Sequence, residues 1–168
     1  MINDLLDLAR LESGETKMQI EPKPSRDLVL WALEEAEDFA SSLGVKLATD
    51  IEESLPSIGV EVRQILHVFS NFITNAAKHS PRGETVVVQA RKHENGVRFA
   101  VIDKGPGIPQ QFQAHLFDKF FRVPGGDRNG AGLGLSIARE IVQAHNGSVG
   151  VKSSPGDGSE FYFILPSI

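Results

Sequence analysis

The chain has 168 residues, 40% of them hydrophobic and 23% charged, with a formal net charge of −5 and no cysteine. That length suits one domain burying about two-thirds of its extended surface, and the acidic balance, with no basic block, argues against nucleic acid as a partner. Without cysteine there are no disulfides or thiolate metal sites, and no apolar run approaches the roughly 20 residues of a membrane span.

Residues 1–13 read as a helix ended by Gly14. Ile2, Leu5, Leu6, Leu8 and Leu11 cover more than one stripe of it, so a helix this short needs a partner. An extended piece at 17–24 leads to Ser25, placed to cap a second helix with Leu28, Ala32, Ala36, Phe39, Ala40 and Leu43 on its buried side. Residues 45–51 alternate as a strand. In the long helix that follows, Val62, Ile65, Leu66, Phe69, Phe72, Ile73 and Ala76 recur at steps of three and four, until Ser80-Pro81-Arg82-Gly83 ends it. Strands at 85–91 and 97–102 flank Glu94-Asn95-Gly96, a hairpin signal. A Gly/Pro turn at 103–109, a short helix at 110–121 and a Gly-rich loop at 123–132 come next. A third long helix is expected over 133–145, stopped by Asn146-Gly147, and two last strands, 148–153 and 159–165, flank Pro155-Gly156-Asp157-Gly158. This order predicts an α/β two-layer sandwich, a mixed and largely antiparallel sheet with three long helices on one face.

Three clusters carry the chemistry. On the long helix, Asn71, Asn75 and Lys78 fall on one narrow face opposite the apolar one. Asparagine is mildly unfavourable in mid-helix, so the stripe suggests polar groups aimed at a ligand, although alone it reads equally as a solvated face. Asp103-Lys104-Gly105-Pro106-Gly107-Ile108-Pro109 follows a strand end. A carboxylate there accepts from an adenine amino group and rejects guanine, and glycines let backbone approach a flat base; Asp103 capping a turn is the other reading. Gly130-Ala131-Gly132-Leu133-Gly134-Leu135-Ser136 runs from loop into helix, where bare N–H groups and the helix dipole favour phosphate oxygens; close helix packing would also use these glycines. Between the last two clusters, Phe117 to Gly130 has the aromatic edge and glycines of a lid, with Arg122 in reach of a terminal phosphate and Arg128 read as a solvent-exposed charge.

In this order the clusters resemble the asparagine, phenylalanine and two glycine boxes of sensor histidine kinases, whose catalytic ATP-binding domain belongs to the GHKL superfamily. Residues 2–14 are similar to the end of the second helix of that family's dimerisation and phosphoacceptor domain, so 1–14 is expected to be a remnant of it and 15–168 the ATP-binding domain. The resemblance implies ATP and Mg²⁺ as cofactors. It places Asp103 on the adenine amino group, with Gly105, Gly107 and Ile108 lining the base and Phe121 beside the nucleotide. Asn75 coordinates Mg²⁺ with Asn71 beside it, Lys78 and Arg122 act catalytically on phosphate charge, and His79 meets phosphate or ribose. Ala131, Gly132, Leu133, Gly134 and Leu135 offer backbone at the phosphates. It further implies γ-phosphoryl transfer to a histidine of the dimerisation domain, relay to a response regulator, a homodimeric parent and a cytoplasmic location, with anchorage in the inner membrane left open. None of the five histidines stands in the acceptor's His-Glu/Asp-x-x-x-Pro setting, so the phosphoacceptor is expected outside this chain. The alternative is a GHKL ATPase of chaperone or mismatch-repair type, which carries a water-activating glutamate where this chain has Asn71.

Overall fold

A computed structural model of the protein describes residues 2–14, 17–125 and 132–168. Five strands form the main sheet in the order β2(Lys46–Ile51), β4(Thr85–His93), β5(Gly96–Asp103), β7(Ser159–Pro166), β6(Ser148–Ser153). β2 pairs with β4 in parallel and every other neighbour is antiparallel. Three long helices, α2(Ser25–Ser42), α3(Val62–His79) and α5(Gly134–Ala144), pack on this sheet. The mixed, largely antiparallel two-layer arrangement expected from the sequence is therefore the one observed. Outside it, α1(Ile2–Ser13) lies against α5, and β1(Glu21–Pro24) pairs with β3(Ser57–Val60) as a separate two-stranded ribbon.

Strand alternation explains why one face is covered. Val86, Val88 and Ala90 of β4, Val97, Phe99 and Val101 of β5, and Phe161, Phe163 and Leu165 of β7 are all buried, whereas their neighbours Gln89, Arg98, Glu160 and Tyr162 are half-buried. Onto that face α3 lays Ile65, Val68, Phe69, Phe72, Ile73 and Ala76. Phe69 meets Phe99 and Phe163 with ring centroids 5.4 and 5.0 Å apart, and Phe72 reaches Phe161 at 5.7 Å and Phe117 at 6.5 Å. Burying each ring contributes about 1.5–3 kcal/mol, so this aromatic cluster fixes α3 on the sheet and the orientation of its polar side with it. At the start of α3 the Glu61 carboxylate accepts from the N–H groups of Arg63 (3.3 Å) and Gln64 (3.0 Å), and the helix stops at Ser80, whose backbone is extended ahead of Pro81.

Four local features differ from expectation. Ser25 is the first helical residue and not the cap; its hydroxyl donates to the Pro56 carbonyl at 2.7 Å, tying α2 to the segment before β3. Phe39 is exposed, because the hydrophobic residues that α2 buries are Leu28, Val29, Ala32, Ala36 and Ala40. The helix expected over 110–121 is α4(Gln110–Gln113) alone. Beyond it the chain proceeds by successive turns to Phe120, whose φ of 62° no helix interior adopts and whose N–H donates to the Gly132 carbonyl at 3.1 Å. The fourth is β3, which the sequence pattern does not predict. The Glu94-Asn95 hairpin, in contrast, closes as expected, with Gly96 already paired to His93.

Candidate functional site

Three elements converge on a cleft of about 510 Å³. One wall is the polar side of α3, where Asn71, Asn75, Lys78 and His79 line the space together with Thr74. The aromatic packing below α3 leaves that stripe no other direction to face. The Asn71 amide NH₂ donates to the Gly134 carbonyl at 3.1 Å, joining α3 to the start of α5. The side chains of Asn75 and Lys78 have no hydrogen-bond or ion-pair partner among the described residues.

The second wall is the turn after β5, which contributes Asp103, Pro106, Gly107 and Ile108. Asp103 is 4% exposed. Its carboxylate accepts the Gly105 N–H at 2.8 Å, and the backbone N–H of Ser159, the residue opposite it in the β5–β7 register, lies near enough to favour its charged form. Burial raises its pKa above the ordinary carboxylate value, while those two N–H groups and the nearby His79 act in the opposite direction. Gly105 is the exception among the expected base-lining residues. It sits behind the wall, buried, where a Cβ would lie 2.7 Å from the His79 carbonyl oxygen, so its part is close packing of the turn against α3. Gly107 does line the cleft, at φ 75°, and a Cβ there would run into the Ser154 carbonyl.

The third wall is the start of α5 with the segment that follows Phe117. Gly132, Leu133, Gly134 and Leu135 line the cleft, as do Phe121 and Arg122. Leu133 is 1% exposed and points into the core, so it meets the cleft through backbone. The N–H groups of the first turn of α5 lack intrahelical acceptors, which makes this edge receptive to anions. Ala131 and Arg128 lie outside the described residues. Phe120, by contrast, is 61% exposed and stands away from the core.

The structure adds lining residues that sequence reasoning missed. Ser159 and Phe161 enter from β7, and Asp4 enters from α1. Ser159 is recognisable only through its register partner Asp103, since a serine starting a strand carries no signal of its own. Asp4 reaches the cleft because α1 packs on α5 and its Glu12 pairs with Lys119. The arrangement can therefore hold a flat donor-bearing group at Asp103 and an anion between Lys78, Arg122 and the start of α5.

A family model described as "Histidine kinase-, DNA gyrase B-, and HSP90-like ATPase" matches residues 60–168. The chain is 36% identical over 166 residues to the alginate biosynthesis sensor protein KinB of Pseudomonas aeruginosa, a match that spans 99% of this chain and 28% of the relative. To the sensor protein DivL of Caulobacter vibrioides it is 38% identical over 165 residues, 98% of this chain and 21% of the relative. The solved structure of full-length ShkA in complex with AMPPNP superposes with a TM-score of 0.87 at 31% identity, over 98% of this chain and 35% of that one. This chain thus spans under a third of the length of the two curated relatives. By the extent of the matched model and the agreement in fold, the chain belongs to the histidine kinase-, DNA gyrase B-, and HSP90-like ATPase family.

Proposed function

We propose that this chain is the ATP-binding catalytic part of a sensor histidine kinase and holds Mg-ATP in the cleft between α3, the 103–108 turn and the start of α5. The observation that carries the reading is Asp103, a buried carboxylate on the cleft wall that the Gly105 N–H holds in place. A carboxylate has about four acceptor positions, so capacity remains for a ligand donor, and the adenine amino group supplies one where guanine presents an acceptor. The AMPPNP complex of ShkA supports a nucleotide in this fold.

Mg²⁺ fits the residues present. Asn75 lines the cleft with an amide that has no partner among the described residues, and no group of three or more His, Cys, Asp or Glu among them is arranged to hold a metal. Asn75 would hold the ion through its oxygen, the phosphates sharing it. When bound, the ion supplies charge neutralisation along the phosphates. Lys78 and Arg122 then stabilise charge developing on the transferred phosphoryl group, while the first turn of α5 holds the phosphate tail by its N–H groups. Gly107 and Ile108 lie against the base, His79 meets phosphate or ribose, and Phe121 stands beside the nucleotide.

The transferred group goes to a histidine of a dimerisation and phosphoacceptor domain, of which residues 1–14 are the end, and from there to a response regulator. Pairing of two parent chains and a cytoplasmic setting belong to the same reading; no helix among the described residues is long and apolar enough to cross a membrane. The ATPase alternative is disfavoured by Asn71, whose neutral amide cannot take a proton from water and whose NH₂ is committed to Gly134. The test is incubation with γ-labelled ATP, alone and with the cognate acceptor domain. Label on the added histidine alone is expected. Steady phosphate release by this chain on its own, on the order of 1–100 s⁻¹, would overturn the kinase in favour of the ATPase.

A further inference from the structure

Gln113 and Ser153 line no part of the cleft, yet the segment that faces the base is fastened through them. Gln113, the last residue of α4, spends both amide hydrogens at once. Its Nε2 donates to the Ile108 carbonyl at 2.9 Å and to the Ser153 carbonyl at 2.9 Å. The Ile108 N–H in turn donates to the Ser153 hydroxyl at 2.8 Å. That hydroxyl donates to the Gly158 carbonyl at 2.7 Å, which leaves the Ser159 hydroxyl, 3.0 Å away, as the donor in their mutual contact. Ser159 is also the residue directly opposite Asp103 in the β5–β7 register. A hydrogen-bonded chain therefore runs from α4 through Ile108, which faces the base, to Ser159, and strand pairing carries it on to Asp103, which reads the edge of the base. Gln113 has a second connection, because its neighbour Phe112 packs on Phe121, centroids 6.3 Å apart, and Phe121 lies on the cleft.

We infer that Gln113 and Ser153 are positioning residues for adenine: they fix the spacing between Ile108, Phe121 and Asp103, and so set the preference of the site for ATP over other nucleoside triphosphates. The inference rests on the nucleotide reading given above. Losing hydrogen bonds of this kind without touching the ligand is expected to weaken ATP about three- to tenfold. GTP, which cannot use the Asp103 contact, is expected to keep its affinity.

The experiment measures ATP and GTP affinities calorimetrically, with the nucleotide-free unfolding midpoint, for the unmodified chain and for Gln113→Met, Ser153→Ala and Ser153→Thr. Gln113→Met preserves length and removes both donors; Ser153→Thr keeps the hydroxyl that Ser153→Ala removes. The expected result is an ATP-to-GTP preference narrowed in Gln113→Met and Ser153→Ala and restored in Ser153→Thr. A merely structural role would lower the unfolding midpoint and leave the preference as it was, and that result overturns the inference. An unmodified chain that binds ATP and GTP equally overturns the nucleotide reading itself. An unmodified chain that prefers ATP, with both variants preferring it as strongly, overturns only the role of Gln113 and Ser153.

Discussion

Replacing Asp103 with asparagine alters almost no volume and tests the base site most directly. The wild-type carboxylate accepts from one fixed donor, the Gly105 N–H, and in the proposed complex from a second, the adenine amino group. An amide offers one oxygen and one NH₂. Whichever way it is turned, an NH₂ confronts one of these two donors, so a charge-assisted bond is lost and a donor–donor opposition appears in a buried place. Hydrogen bonds to a charged group contribute about 1.5–3 kcal/mol, which at 1.4 kcal/mol per decade weakens ATP roughly ten- to a hundredfold. The nucleotide-free protein responds differently. Burial raises the Asp103 pKa above its unfolded value, so the folded state holds the proton more tightly, and keeping the group ionised costs stability as pH rises through the raised value. A neutral amide at this position carries no such cost. The stability of Asp103→Asn relative to the wild type should therefore improve from about pH 4 towards neutrality, even as ATP binding stays poor. Calorimetric titration with ATP and urea unfolding across that range check both parts. An ATP affinity within about threefold of the wild type would refute the reasoning, because a buried acceptor that the base uses cannot be exchanged at so little cost.

Asn75→Ala should remove the Mg²⁺ dependence of ATP binding while leaving the urea midpoint nearly in place, since the Asn75 side chain makes no hydrogen bond among the described residues and lies off the Phe69/Ile73 face; titrations with Mg²⁺ and with EDTA check it. His145 should make the fold acid-sensitive. Its Nδ1–H donates to the Ile141 carbonyl at 2.7 Å and its Nε2 accepts the Glu61 N–H at 3.1 Å, a neutral arrangement that burial favours by lowering the pKa. The unfolded state then binds the proton more readily, so this stabilisation is full above the unfolded value of 6.5 and is lost as pH falls through the lowered folded one. His145→Gln should accordingly destabilise the protein at about pH 8 by roughly 1 kcal/mol and by less at about pH 5, as unfolding curves at the two pH values will show.

The long elements were legible because their periods or their turns were. Helix α3 announced itself through apolar residues at steps of three and four, β4 and β5 through the Glu94-Asn95-Gly96 hairpin signal between them, and β6 and β7 through the Pro155-Gly156-Asp157-Gly158 turn. The polar stripe of α3 followed from the same period, and the turn after β5 from its glycines. What escaped was short or tertiary. β3 is four residues with a glycine inside, too little to show a period, and it exists because β1 pairs with it. Ser25 has the composition of a cap, but the Pro56 carbonyl outcompetes the helix end for its hydroxyl. The turns after α4 depend on Phe120 reaching Gly132, a contact that local propensity does not contain. Ser153, Ser159 and Gln113 depend on strand register and on a clasp spanning 40 residues or more, so no window of sequence displays them.

The two asparagines of the α3 stripe show how far periodicity goes and where it stops. They share a residue type, a helix face and a separation of one turn, and the sequence treats them alike. The fold does not. Asn71 stands opposite the start of α5, where Gly134 has no side chain; a Cβ there would come to 3.4 Å from the Asn71 amide oxygen, and the bare backbone instead accepts the Asn71 NH₂ at 3.1 Å. One turn further on, Asn75 faces the cleft with its amide unspent among the described residues. One asparagine thus locks the anion-receptive start of α5 to the helix that carries Lys78, and the other is left available for a ligand. Any substitution of Asn71 will act first on the α3–α5 junction, so its effect on the phosphate region and its effect on water activation must be measured separately.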